Sequence, residues 1–255
     1  MLYQFLIVCP LIFIAGFIDA IAGGGGLITT PAYVLAGLPM HNAIATNKMS
    51  SSMGITAATV KYARNGFINW KMAPFCAAAS FAGSAIGSNI ALLLSDAAFK
   101  ATMLIILPFI AYYVQKTKTF ESQKEPFCFS KTLILCMLIA FFIGIYGGFC
   151  GAGTGTFLLL LLTGLARISL NESAGTTKII NLCVNYAALA VYIINGKTMI
   201  LLGIVAGLFS MGGNYLGATA FTKKGTTFVR PVIILVLVMF FIKIILEFYN
   251  EGSIF

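Results

Sequence analysis

The chain has 255 residues, of which 60% are apolar and only 9% charged, where an ordinary soluble domain carries roughly a quarter. Seven acids and 16 bases cannot give a 27.2 kDa chain a water-facing surface, and the mean hydropathy is +0.98; a soluble domain is excluded and an all-α polytopic membrane protein is expected. The net charge of +9 rests on bases scattered between apolar runs, the pattern of a cytoplasmic excess of Lys and Arg rather than a basic face for nucleic acid.

Taken in chain order, residues 2–22 make an apolar run of membrane-spanning length, about 20 residues. No Lys or Arg precedes Lys48, so the run lacks the basic start of a cleavable signal and reads as a retained helix whose N-terminus faces outward. Gly23 to Gly26 interrupt it, and a short apolar segment follows over 27–38. Helices are expected over 43–62, 72–93 and 98–115. A polar stretch, Lys116 to Lys131, is the one sizeable loop. The pattern then begins again with 132–149, a glycine-rich break at Gly151 to Gly155, a short segment over 156–166, and helices near 173–194, 199–221 and 229–248.

The repetition extends to residues. A shift of 130 places Thr46 on Thr176, Lys48 on Lys178, Tyr62 on Tyr192, Asn65 on Asn195, Gly66 on Gly196, Ser80 on Ser210, Gly83 on Gly213 and Gly87 on Gly217. Upstream of Thr46 the shift is 128, so that Gly16 meets Gly144, Gly23 meets Gly151 and Gly25 meets Gly153. An internal duplication of this kind is a frequent transporter architecture. The expected organisation is a first transmembrane repeat over 1–115, a cytoplasmic linker over 116–131 and a second repeat over 132–255. Each repeat is a broken helix and half-helix hairpin plus three transmembrane helices. If each broken segment enters and leaves on one side, the repeats are inverted, and twelve of the bases fall on one face. Only Lys48, Lys100, Lys197 and Lys243 fall on the other. That asymmetry follows the positive-inside bias better than a parallel arrangement does, and it puts both termini outside the cytoplasm of a multi-pass cell-membrane protein.

Consecutive glycines do not persist as helix, each costing about 1 kcal/mol relative to Ala, and irregular backbone at membrane depth survives only where it is buried in protein or lines a cavity. Each half-helix after a break directs free N–H groups and a positive dipole end at it. Two such ends form an anion site, for which Gly24, Gly25 and Gly26, with Gly153, Thr154 and Gly155, are the candidate backbone. The four-residue spacing of Gly83 and Gly87, and of Gly213 and Gly217, reads instead as close helix packing. Lys48 and Lys178, at equivalent places in the two repeats, either line the anion route or snorkel to headgroups. Beside them Thr46, Asn47, Thr176 and Thr177 offer hydrogen bonds to an oxyanion. Asp19, one turn before the first break, has three readings: a coupling carboxylate, a cap on the break, or a partner for a lysine. Cys150 in the second break is small buried filler or a contact for a sulfur-containing substrate. The one histidine, His41, and the absence of a CxxC pattern leave no metal site or disulfide framework, and no cofactor is expected.

The stretch GFIDAIAGGGGLITTPAYVLAGLPMHNAIATNKMSSSMG (Gly16 to Gly54) resembles the first-repeat signature of the sulfite exporter TauE/SafE family. GFCGAGTGTF followed by AGTTKIINL resembles that family's second repeat, and the similarity continues through RNGFINWK, INGK and KKGTTFVRP. The resemblance implies an integral membrane permease for a small anion, mostly sulfite or an organosulfonate. The chain departs from it at Gly147, where many relatives have an acid, and at Ala152, where many have proline. The expected function is a secondary transporter, an exporter of a small sulfur-containing anion. A passive anion channel is the alternative, and a homo-oligomer is left open. No GxxxxGK[ST] loop is present for ATP, and the sequence offers no catalytic pair for an intramembrane enzyme.

Overall fold

The computed structural model describes residues 2–95, 98, 125 and 127–224. The helices expected over 98–115 and 229–248, and most of the linker, lie outside the described residues. Within them the chain is helical, without strands: α1 (Leu2–Ala22), α2 (Gly26–Leu35), α3 (Met40–Arg64), α4 (Ala73–Leu93), α5 (Phe129–Phe149), α6 (Thr154–Gly164), α7 (Leu170–Ile194) and α8 (Ile200–Lys224). Five of these, α1, α4, α5, α7 and α8, are long and apolar enough to cross a membrane, while α2 and α6 are short apolar helices.

α3 is the exception. At 25 residues it has the length of a span but not the hydropathy, because Thr46, Asn47, Lys48, Ser50, Ser52 and Thr59 are all buried on it. An amphipathic or apolar surface helix hides its apolar stripe; α3 hides polar groups, which places it inside the bundle among α7, α8 and α2. Several of its hydroxyls are satisfied along the helix, Ser52 donating to the Lys48 carbonyl at 2.7 Å and Thr56 to the Ser52 carbonyl at 2.7 Å.

The two longest helix contacts exchange elements between the repeats. α1 of the first repeat packs along α8 of the second, and α5 of the second packs along α4 of the first. Corresponding glycines make both contacts possible. Gly83 and Gly87 of α4 lie against the carbonyls of Phe141 and Ile145, and Gly213 and Gly217 of α8 lie against those of Phe13 and Phe17. Each carbonyl pair is again 128 apart. The close-packing reading of these four glycines therefore holds, and among the described residues the first helix of each repeat packs on a helix of the other.

The C-termini of α3 and α7 repeat one another as well. Gly66 and Gly196 take left-handed φ values of +73° and +66°. The amides of Phe67 and Lys197 return to the carbonyls of Tyr62 and Tyr192 at 3.1 and 3.0 Å, the glycine-dependent helix stop that closes orphan carbonyls. The tyrosine hydroxyls reach equivalent carbonyls in their own repeats, Tyr62 to Ala20 at 2.9 Å and Tyr192 to Gly148 at 3.4 Å.

Adding a side chain to Gly87 would drive it into the Ile145 backbone, whereas a Cβ at Gly164 meets nothing within 4 Å. Gly87→Leu is expected to cost roughly 1–3 kcal/mol or more, seen as a lower Tm of purified protein in detergent. Gly164→Ala stays within about 0.5 kcal/mol of the parent. Equal melting of the two variants would contradict the packing described.

Candidate functional site

Both helix breaks are present. α1 ends at Ala22 and α2 begins at Gly26; α5 ends at Phe149 and α6 begins at Thr154. The chain turns at Gly23 (φ +74°) and at its counterpart Gly151 (φ +78°), in the left-handed region that favours glycine. The two turns lie against each other. A Cβ on Gly155 would sit 2.5 Å from the Gly23 Cα, and one on Gly26 would sit 2.8 Å from the Gly151 carbonyl oxygen. Thr156 Oγ1 donates to the Ala22 carbonyl at 2.7 Å and joins the second break to the first. The positive ends of α2 and α6 therefore come to one place.

A cavity of about 30 Å³ opens at that junction, where a single water needs roughly 10–15 Å³. Gly23 and Gly151, Gly26 and Thr154, Ser51 and Asn181, and Ile55 and Asn185 all line it, and each is a pair of counterparts at a shift of 128 or 130. The cavity therefore lies where the two repeats face one another.

The lysines divide the site's charge unequally. Lys48 and Lys178 are both buried, at 2% exposure, so the headgroup reading fails for both. Each crosses to the other repeat: Lys48 Nζ donates to the Gly147 carbonyl at 2.6 Å and Lys178 Nζ to the Asp19 carbonyl at 2.5 Å. Asp19 and Gly147 are themselves counterparts, but only Asp19 has a carboxylate. Its Oδ2 lies 3.9 Å from Lys178 Nζ and its Oδ1 accepts the Gly25 N–H at 3.1 Å. Asp19 thus caps the first break and pairs with a lysine, two of its three sequence readings. With Gly147 opposite it, Lys48 has no carboxylate partner among the described residues. Burying a charge without a counter-charge is costly, and here the ammonium borders the cavity.

Of the other expected site residues, Gly25, Gly26, Asn47, Thr154 and Gly155 line this cavity with Lys48 and Asp19. Several do not. Lys178 and Thr177 border a separate space of about 10 Å³ with Gly23 and Gly155, while Asn181, Val184 and Asn185, further along α7, line the cavity beside Lys48. Gly24 spends its carbonyl on the Leu27 amide at 3.1 Å. The Thr46 hydroxyl accepts the Met199 N–H at 3.1 Å, a contact between helix ends rather than a cavity wall. Gly153 is the left-handed residue before α6, at φ +73°. Cys150 is buried at the end of α5 with the Tyr146 hydroxyl 4.0 Å from its Sγ, outside the cavity lining.

The sequence reading passed over Thr29, Asn181 and Asn214, which also line the cavity. Thr29 Oγ1, Thr154 Oγ1, Asn181 Oδ1 and Asn214 Oδ1 are buried without a hydrogen-bond partner, a cost that proteins seldom leave uncompensated. The sequence carries only part of the signal: asparagines within the apolar runs of α7 and α8 are expensive unless they serve a cavity, but the run does not say which of them faces one.

Removing one member of a buried ion pair is strongly destabilising, about 3–5 kcal/mol in favourable cases, and the partial exposure of Asp19 at 15% argues for the lower end. Asp19→Ala and Lys178→Met should each lower Tm. The double variant Asp19→Ala/Lys178→Met should recover part of the loss. Simple addition of the two losses would remove the pairing.

Comparison with known proteins agrees with this architecture. The family model described as sulfite exporter TauE/SafE matches residues 8–244. The chain is 33% identical over 240 residues to the "probable membrane transporter protein ORF9" of Sinorhizobium sp., covering 92% of this chain and 90% of that protein. It is 32% identical over 242 residues to a "probable membrane transporter protein" of Haemophilus influenzae, covering 94% and 92%. To the "probable membrane transporter protein YfcA" of Escherichia coli K12 it is 28% identical over 239 residues, covering 93% and 88%. No solved structure matches the chain. With a family match over nearly its full length and apolar helices arranged around paired breaks, this multi-pass membrane protein belongs to the sulfite exporter TauE/SafE family of transporters.

Proposed function

We propose that the protein is a secondary transporter, rather than an enzyme, and exports a small sulfur-containing oxyanion through the cavity between its two helix breaks. The observation that carries this reading is Lys48: a buried ammonium without a carboxylate partner among the described residues, at a cavity that two helix N-termini reach. A negative solute supplies the missing counter-charge, and Thr29 and Thr154 supply hydroxyls to its oxygens. The sulfur-containing class is supported by the name of the family model.

The two repeats are inverted on this reading, with 116–131 cytoplasmic and both termini outside. The exchange of α1 and α5 between repeats supports a pair of bundles able to rock about the breaks, the usual basis of alternating access. Outward movement of an anion is favoured by the inside-negative potential, about 2.3 kcal/mol per charge per 100 mV. An acid coupling role for Asp19 is not favoured, since its carboxylate already serves the Gly25 amide and Lys178.

In proteoliposomes with an imposed proton gradient and the membrane potential clamped at zero, sulfite or a sulfonate should accumulate against its concentration difference. Flux that only dissipates gradients would favour a channel. Lys48→Met should lower the apparent affinity for anion about tenfold or more while the protein still folds, as expected when a charged hydrogen-bond donor is lost. Unchanged affinity would take Lys48 out of the site. Gly153→Val, strained at φ +73°, should abolish transport.

A further inference from the structure

The cavity holds acceptors as well as cations, and this constrains what fits it. Asn214 has its amide orientation fixed by its neighbours. Nδ2 donates to the Ser210 carbonyl at 3.0 Å and approaches Ser210 Oγ at 3.4 Å. Exchanging the two ends of the amide would set one oxygen against another, so Oδ1 is the atom left over. It is buried and unpartnered, on a residue that is 1% exposed and lines the cavity. Asp19 lines the same cavity with its carboxylate, beside its cap and lysine contacts. An oxyanion with no hydrogen to give satisfies Lys48, Thr29 and Thr154 but leaves Asn214 Oδ1 orphaned and faces Asp19 unfavourably.

The charges give a second constraint. Lys48 and Lys178 contribute two positive charges and Asp19 one negative charge, so the cluster is neutralised by a ligand of charge −1. A dianion overshoots that balance while approaching a carboxylate in a low-dielectric setting, where like charges repel strongly.

We propose that the site selects a monovalent oxyanion that itself carries a hydrogen-bond donor, such as a singly protonated oxyanion or a sulfonate with an adjacent N–H or O–H, over dianions and over monovalent anions with no donor. This rests on the cavity being the anion site of the proposed function, and it adds the charge and the donor to that description. The ligand's oxygens meet Lys48 and the two threonine hydroxyls, and its donor meets Asn214 Oδ1. Rejection of a ligand that leaves a buried acceptor unpaired is a stronger discriminator than the loss of an apolar contact.

Three anions of similar size separate the requirements at one pH. Sulfamate and methanesulfonate are both monovalent and nearly isosteric, but only sulfamate has N–H donors; sulfate is a dianion without one. Binding to the purified full chain at pH 7, by calorimetry or ligand-dependent thermal shift, should rank sulfamate at least tenfold above methanesulfonate, with sulfate weakest. In Asn214→Ala, sulfamate affinity should fall to that of methanesulfonate while methanesulfonate is little changed. The wild-type ratio alone is decisive should that variant fail to fold. Equal wild-type affinities, with both ligands lost in Lys48→Met, would leave the anion site standing and overturn the donor requirement. Sulfate binding tightest would overturn the charge requirement. No binding of any of the three would overturn the anion site together with this inference.

Discussion

A buried lysine ammonium with no carboxylate partner among the described residues is the constraint around which this bundle is organised. Lys48 has one good hydrogen bond, to the Gly147 carbonyl at 2.6 Å, and it borders a cavity bounded by the backbone of two interrupted helices. A fold loses free energy by holding a charge this way. The positive ends of α2 and α6 add to the electropositive potential instead of relieving it. On the proposed reading an anion supplies what this arrangement lacks, where a neutral, fully paired core would need none. Every element near it serves that end: glycines let the breaks touch, and α3 sacrifices hydropathy to carry polar groups inward.

The near-symmetry of the molecule isolates where the asymmetry lies. Counterpart lysines reach counterpart carbonyls across the repeats, counterpart tyrosines hold counterpart carbonyls within them, and counterpart glycines receive α1 and α5. Against this background Asp19 and Gly147 differ in kind. The acid neutralises Lys178 and caps the first break, so that half of the site is electrostatically closed. The glycine leaves the other half open. A duplicated scaffold thus carries one lysine paired with a carboxylate and one without such a partner among the described residues. The two small spaces flanking the breaks differ accordingly, about 30 Å³ beside Lys48 and about 10 Å³ beside Lys178.

Much of the fold was legible because membrane solvation makes few demands and makes them plainly. Apolar length located α1, α4, α5, α7 and α8, and runs of glycine marked the breaks to within a residue or two. The self-similarity at 128 and 130 identified the counterparts that later proved to pack and bond alike. α3 was the misjudged case: its residues were grouped with the apolar spans, but its polarity is that of a helix enclosed by others. The site was only half legible. Lys48, Asp19 and the half-helix ends could be named from one sequence, because charge and glycine are conspicuous in an apolar chain. Asparagines within α7 and α8, and Thr29 in α2, could not be ranked, since which face of a helix looks into a cavity depends on packing between distant segments. For the same reason Lys178 and Thr177 were assigned to the same space as Lys48, although they border a separate, smaller one.

The most direct measurement is an experimental structure of the protein with a selenium oxyanion, read by anomalous scattering. A peak in the cavity between Gly26 and Thr154, within hydrogen-bonding reach of Lys48 Nζ, is predicted, and it should vanish in Lys48→Met. Anomalous signal confined to the protein surface or to the smaller space beside Lys178, with the Lys48 cavity empty at saturating anion, would contradict the account.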